Sequence, residues 1–140
     1  MGRIIAIDYG RKRVGLAVTD ELQMIANPLA TVHSKDILSY LKEYCAKEIV
    51  ECFVVGEPKQ MDNTPSESMR FITPFVNKLK KEIPAIPIEM ADERFTSKIA
   101  SQAIISAGLK KKDRQNKALV DKVSAVLILQ SYLEMKNNMF

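Results

Sequence analysis

The sequence predicts a single α/β domain built on a mixed β-sheet with helices on its faces. Three observations favour this class. The chain opens with closely spaced strand-like segments, and its second half alternates strand-like with helix-like segments. No repeat or linker divides its 140 residues. We therefore expect residues 1–140 to form one domain, within the usual size of about 100–200 residues.

Composition excludes several other classes of protein. Hydrophobic residues make up 46% and charged residues 27% of the chain, values typical of a globular domain rather than a disordered or fibrous one. No apolar run approaches the roughly 18 residues of a transmembrane helix, and Asp8 comes too early for a signal peptide. Cys45 and Cys52 form neither a zinc motif nor a disulfide framework. We expect a cytoplasmic protein without a membrane partner.

The first half of the chain predicts four strands and one helix. The strand-like segments are rich in β-branched and apolar residues. They cover residues 3–8, 13–19, 28–33 and 49–55. Gly10 lies in the short gap between the first two segments, so we expect a hairpin there. Helical periodicity predicts the helix over residues 36–47.

The second half predicts three helices and one strand. A T-x-x-E capping box at residues 64–67 begins a helix that extends to about Lys81, and Pro74 should kink or shorten it. The strand covers residues 86–90, and the later helices cover residues 97–107 and 118–135. The last helix is apolar on most of its circumference, so we expect it to lie against the sheet.

Three acidic residues stand where apolar elements begin or end. Asp8 closes the first strand, Glu93 follows the last strand, and Asp121 lies in the first turns of the final helix. A charge beside a buried element is unfavourable unless it is paired, and a hard cation such as Mg²⁺ or Mn²⁺ would pair with it. Two such ions about 3.5–4 Å apart can hold an attacking water and a leaving oxygen across a phosphodiester. The three acids together therefore predict a metal-dependent phosphodiesterase site.

Each acid also has a simpler interpretation. Asp8 can open a turn, and Asp121 can stabilise a helix N-terminus. Glu93 can pair with Arg94 or face solvent. Asp92 is an alternative ligand to its neighbour Glu93, or an acid at the start of the next helix.

Two basic segments adjoin the proposed ligands. The first is the predicted hairpin turn, with Arg11, Lys12 and Arg13, and the second is the loop before the last helix, with Lys110, Lys111, Lys112 and Arg114. With a net charge of +4, they predict a track for a nucleic-acid backbone, although solvated loops are the simpler interpretation. Tyr9 is the only aromatic residue in either segment, so we expect recognition of backbone or shape rather than base stacking.

Four segments in order carry a family resemblance. They are IIAIDYGRKRVGLAVTD, VVGEPKQMDNT, DERFTS and VDKVSAVLILQSY, at residues 4–20, 54–64, 92–97 and 120–132. They resemble the motifs of the YqgF-type family, whose members are described as Holliday junction resolvases and as pre-16S rRNA nucleases. The resemblance spans nearly the whole chain. It implies an RNase H-like fold, a mixed five-stranded sheet flanked by helices, and a cytoplasmic, metal-dependent nuclease whose acids are Asp8, Glu93 and Asp121.

The sequence departs from the family pattern at two places. In the segment over 56–64, Glu57 and Lys59 replace apolar residues and Asn63 replaces a glycine. Glu57 can add a ligand or repel a phosphate, and the segment can bind a phosphate or simply connect two elements. The better-known resolvases of this fold carry a fourth carboxylate, whereas residues 122–133 contain no acid. A complete two-metal site is therefore not implied.

We expect a hydrolase acting on ester bonds, with the 5′ end of precursor 16S rRNA as its substrate in ribosome biogenesis. The alternative substrate is a four-way DNA junction, which requires a homodimer, whereas a trimming nuclease can be a monomer. A non-catalytic RNA-binding module is a third possibility, which the acids argue against. The first hairpin also resembles the phosphate-binding hairpin of actin-type ATPases and sugar kinases, but one domain is too small to enclose ATP.

Overall fold

A computed structural model describes residues 2–57, 69–92 and 117–137. The described residues form five strands and three helices. The strands are β1 (Arg3–Tyr9), β2 (Arg13–Thr19), β3 (Ala26–His33), β4 (Val50–Glu57) and β5 (Ile88–Asp92), and the helices are α1 (Ile37–Lys47), α2 (Met69–Glu82) and α3 (Lys117–Asn137). None of these three helices is both long and apolar enough to cross a bilayer.

The strands form one mixed sheet in the order β3-β2-β1-β4-β5. β2 is antiparallel to both β1 and β3, whereas β1, β4 and β5 run parallel to one another. Parallel neighbours require a crossover, and α1 and α2 lie in the two crossover connections. The ends of β1, β4 and β5, at Tyr9, Glu57 and Asp92, therefore meet at one edge of the sheet, which we call the carboxyl edge.

Helices α1 and α2 cover one face of the sheet. Strand side chains alternate between the two faces, and Ile5 and Ile7 of β1 pack on this face with Phe53 and Val55 of β4. The helices contribute Ile37 and Leu41 from α1, and Ile72, Phe75, Val76 and Leu79 from α2. Burial of each such side chain stabilises the fold by about 1.5–3 kcal/mol. This cluster is the larger part of the core.

Helix α3 covers the other face of the sheet, as its apolar sequence predicts. Ile4 and Ala6 of β1 pack there with Cys52 and Val54 of β4. The helix contributes Ala125, Ile128, Leu129 and Leu133 to the same cluster. Because both faces are covered, β1 lies in the middle of the core.

The predicted strands and the first and last helices are confirmed, with shifted ends. β5 begins at Ile88 rather than at residue 86, and the two preceding residues belong to the connection between α2 and β5. The carbonyl of Pro87 accepts a hydrogen bond from the amide of Phe53 at 2.9 Å. β3 begins at Ala26 rather than at residue 28, and it accommodates Pro28 because it is an edge strand.

The predicted helix end near Lys81 is confirmed, because α2 continues through Pro74 to Glu82, and Pro74 therefore does not shorten it. A proline inside a helix costs about 3 kcal/mol. Buried residues on both sides of it, Ile72 before and Phe75 and Leu79 after, offset that cost. The predicted capping box at 64–67 and the predicted helix at 97–107 lie outside the described residues.

The turn between β1 and β2 requires a glycine. The amide of Gly10 donates a hydrogen bond to the carbonyl of Arg13 at 2.9 Å. A Cβ atom on residue 10 would lie 2.5 Å from the same oxygen, closer than real Cβ contacts. The chain after β3 supports the turn, because Ser34 donates from its amide to Lys12 O at 3.0 Å and from its hydroxyl to Arg11 O at 2.8 Å.

We expect Gly10→Ala to lower the free energy of unfolding by about 1–3 kcal/mol, because the added Cβ atom forces the turn open. The midpoint of urea denaturation measures the change. Lys12→Ala alters an exposed side chain in the same turn and should change stability by less than about 0.5 kcal/mol. Equal midpoints for the two variants would contradict this account of the hairpin.

Candidate active site

Asp8 lies at the carboxyl edge as the next-to-last residue of β1, and it is half-buried. Its partner in the register of β2 is Gly15. On the other side, Ile7 pairs with Val55, so Gly56 is the next residue of β4. Glycine in a strand often marks a place where a ligand approaches closely. Asp8 therefore has a glycine beside it in each neighbouring strand.

Asp8 shares the α3 side of the sheet. Ile4 and Ala6 precede it by four and two residues in β1, and both pack in the cluster with α3. Asp121 is the fifth residue of α3, as the sequence predicts. It precedes the fully buried Ala125 by one turn of helix. Its backbone therefore belongs to the turn of α3 before the stripe that packs on the sheet.

The ends of β4 and β5 bring two further acids to the carboxyl edge. Glu57 and Asp92 are partners in the strand register, and Gly56 pairs with Ala91 in the row before. Ala91 packs against the cluster on the α3 side. Glu93, the next residue along the chain, lies outside the described residues.

The described side chains contain no group of three His, Cys, Asp or Glu that could hold a metal ion. Glu93 and the side chain of Asp121 lie outside this described part. The set of Asp8, Glu93 and Asp121 as catalytic and metal-binding residues therefore stays a prediction. Asp8 itself suits a hard cation, because carboxylate oxygens are the ligands that Mg²⁺ and Mn²⁺ prefer.

The basic hairpin turn projects beside Asp8. Arg11 and Lys12 are exposed, and Arg13 is half-buried at the start of β2. The second predicted basic segment, Lys110, Lys111, Lys112 and Arg114, lies outside the described residues. The turn thus carries two exposed positive charges, three and four residues after Asp8 in the chain.

Phe71, an aromatic residue of α2, lies next to the basic turn. The sequence alone did not indicate this contact. The guanidinium carbon of Arg11 is 5.5 Å from the ring centroid of Phe71, and that of Arg70 is 5.7 Å away. Tyr9 remains the aromatic residue within the turn segment itself, and Phe71 approaches the turn from α2. Phe71 is 60 residues from Arg11, so no local pattern could have joined them.

The end of β1 is fixed to α2 by a second aromatic contact. The rings of Tyr9 and Phe75 are stacked, with centroids 4.4 Å apart and an angle of 17° between their planes. Burial raises the pKa of Tyr9 above its ordinary value, so the phenol is neutral at physiological pH. The stack anchors the residue that follows Asp8.

The two cysteines are free thiols and belong to the packing rather than to the site. Burial raises the pKa of Cys45. Burial, with a further contribution from the charge of Glu89, raises the pKa of Cys52 to about 11. A protonated thiol is a poor nucleophile. Covalent catalysis by either cysteine is therefore not supported.

Two resolvases with solved structures have the same fold as this chain. Thermus thermophilus RuvC, described in complex with a Holliday junction substrate, superimposes with a TM-score of 0.57 and 18% identity over 96% of each chain. The Fowlpox virus resolvase, described with Holliday junction DNA, gives a TM-score of 0.58 and 13% identity over 95% of this chain and 97% of that one. The sheet order, the two helical layers and these likenesses define an RNase H-like domain.

Sequence comparison identifies the family within that class. The model described as "RuvX: Holliday junction resolvase" matches residues 2–135. A relative from Phocaeicola vulgatus is 62% identical over 97% of this chain and 98% of its own length, and one from Bacteroides thetaiotaomicron is 59% identical over 97% and 99%. Both carry the name pre-16S rRNA nuclease. The chain belongs to the RuvX Holliday junction resolvase family, and its class is that of the nucleases, hydrolases acting on ester bonds.

Proposed function

We propose that this chain is a divalent-metal-dependent nuclease that processes the 5′ end of precursor 16S rRNA in ribosome biogenesis. The observation that carries the proposal is the half-buried Asp8 at the carboxyl edge, with Gly15 and Gly56 on either side of it. The name shared by relatives at 62% and 59% identity supports the choice of substrate.

We infer that Asp8, Glu93 and Asp121 would hold Mg²⁺ or Mn²⁺ at this edge. When bound, the ions supply Lewis-acid stabilisation of the phosphoryl oxygens and a water of lowered pKa. Asp8 contributes carboxylate oxygens from a backbone that the packing of Ile7 and the Tyr9–Phe75 stack keep in place. The protein thus provides a preorganised ligand rather than a nucleophile of its own.

We infer that Glu93 rather than Asp92 is the ligand, because the segment DERFTS at residues 92–97 resembles the family motif whose acid falls on Glu93. Asp92 is the last residue of β5, and its backbone is in register with Glu57 of β4.

The hairpin turn would position the phosphates of the substrate. Arg11 and Lys12 are exposed in the turn that follows Asp8 and would contact phosphates flanking the reacting one, and the half-buried Arg13 adds positive charge at the start of β2. Lys110, Lys111, Lys112 and Arg114 would continue this basic track. Such contacts bind nucleic acid without regard to sequence, so they suit a nuclease that acts at a structural feature of its substrate.

Two alternative functions can be compared with the proposed one. The fold shared with two resolvases favours a Holliday junction as the second candidate substrate, which would require a homodimer. A non-catalytic RNA-binding module is less well supported, since a phosphate-binding surface gains nothing from a half-buried carboxylate.

The free thiols of Cys45 and Cys52 support a reducing, cytoplasmic location.

We expect Asp8→Asn to reduce Mg²⁺- or Mn²⁺-dependent cleavage by more than about 100-fold, since even the outer-shell partners of metal ligands contribute 10–100-fold. The assay uses a 5′ fragment of precursor 16S rRNA and a synthetic four-way junction. Asp36→Asn makes the same substitution at an exposed residue and should cleave like the wild type. Cleavage of one substrate selects between them, and full activity of folded Asp8→Asn would refute the proposed site.

A matched pair of variants tests which acid at the end of β5 is the ligand. Glu93→Gln should reduce cleavage as strongly as Asp8→Asn, whereas Asp92→Asn should retain activity within about tenfold. Each variant removes one charge and little volume, so thermal unfolding should show that both fold. The reverse ranking of the two variants would assign the ligand to Asp92.

A further inference from the structure

A groove of about 240 Å³ opens on the α1/α2 side of the carboxyl edge. We call it the Phe71 groove, after the exposed ring on its rim. Tyr9, Leu38, Phe71 and Phe75 form its apolar surface, and Lys35 and Lys78 stand at its border. None of the described residues that line it is acidic. The groove therefore combines an apolar aromatic surface with positive charge.

Phe71 does not belong to the hydrophobic core. Its side chain is 36% exposed, whereas its neighbours on α2, Ile72 and Phe75, are 1% and 5% exposed and belong to the main core cluster. The guanidinium carbons of Arg11 and Arg70 lie 5.5 and 5.7 Å from its ring centroid, within the range of cation–π interaction. An exposed ring with two guanidinium groups near it suits a ligand that carries both a planar ring and anionic charge.

Nucleic-acid strands present that combination in every nucleotide. Bases stack on exposed aromatic rings without regard to sequence, and the phosphates on either side pair with Arg and Lys. A base pair inside a duplex cannot reach such a ring, because both of its faces are already stacked. The ligand chemistry that fits the Phe71 groove is thus an unpaired nucleotide.

We propose that the Phe71 groove binds one unpaired nucleotide of the strand that is cut, with its base on Phe71 and its phosphates near Lys35, Lys78 and Arg11. The identification of that strand as a substrate rests on the proposed nuclease function. The groove would make cleavage depend on an unpaired nucleotide next to the reacting phosphate. It would therefore direct the enzyme to the end of a duplex or a single-stranded extension.

The position of the groove relative to Asp8 supports this assignment. Tyr9 lines the groove and directly follows Asp8, so their Cα atoms are about 3.8 Å apart. The two side chains belong to opposite faces of β1. A strand that crosses the carboxyl edge would have its reacting phosphate on the Asp8 side and the adjacent nucleotide in the groove.

Binding measured without chemistry tests the groove directly. We compare a short fluorescent single-stranded oligoribonucleotide, its DNA counterpart and the blunt RNA duplex of the same sequence, in EDTA so that no strand is cut. Phe71→Leu should weaken binding of both single strands by roughly tenfold and leave duplex binding unchanged. Phe71→Tyr keeps the ring and should bind like the wild type.

A pair of lysines on α2 supplies the matched electrostatic control. Lys78→Ala should reduce the salt dependence of single-strand binding by about 0.7 in the log–log slope, as expected for one lost phosphate contact. Lys80→Ala removes an exposed lysine of the same helix that does not line the groove, and it should leave the slope unchanged. Equal slopes for the two variants would contradict phosphate binding at Lys78.

The outcomes separate the groove from the proposed function. Wild-type affinity of folded Phe71→Leu for single strands would overturn the groove, even if Asp8 is required for cleavage. A selective loss of single-strand binding would support the groove even if the wild type cleaves neither substrate, a result that would overturn the nuclease proposal alone. Thermal unfolding of Phe71→Leu should match the wild type, because the ring lies outside the core.

Discussion

The central position of β1 is the constraint on which the rest of the structure depends. Ile4, Ile5, Ala6 and Ile7 are all fully buried, two on each face of the sheet. A shift of one residue in register would exchange the two faces and place each side chain in the wrong cluster. Strands on both sides, β2 and β4, add backbone pairing to this packing. The core thereby fixes where β1 ends and hence where Asp8 stands.

Asp8 and Tyr9, the last two residues of β1, lie on opposite faces of the sheet and have different proposed roles. Asp8 shares the side of α3 and stands between Gly15 and Gly56 of the neighbouring strands. Tyr9 shares the side of α1 and α2, where its stack on Phe75 forms part of an apolar groove. Two consecutive residues thus connect the proposed chemistry to the proposed binding of an adjacent nucleotide, through an alternation that any strand imposes.

Much of the fold could be predicted from the sequence because its signals are local. β-branched runs predicted the strands, and the apolar circumference of the last helix predicted that α3 is buried. Asp8 could be identified as a candidate ligand because it is an acidic residue at the end of an apolar segment. The sequence alone left open whether Pro74 kinks or shortens α2, because the packing that offsets its cost involves residues from several elements.

The contacts around the site depend on register and crossover geometry, which no local pattern encodes. The pairing of Glu57 with Asp92 follows from the alignment of two parallel strands. The approach of Arg11 to Phe71, and the stack of Tyr9 on Phe75, follow from the placement of α2 against the end of β1. The sequence therefore predicted the basic turn and the carboxylate but missed the aromatic surface next to the turn.

Binding of Mn²⁺ followed by NMR tests the central claim, that the carboxyl edge near Asp8 is a metal site. The paramagnetic ion broadens the amide signals of nearby residues. The account predicts that substoichiometric Mn²⁺ broadens Asp8, Tyr9, Gly15 and Gly56 first, and that Asp8→Asn abolishes this selective effect. Uniform broadening, or selective broadening at acids far from this edge such as Glu43, would contradict a metal site at the end of β1.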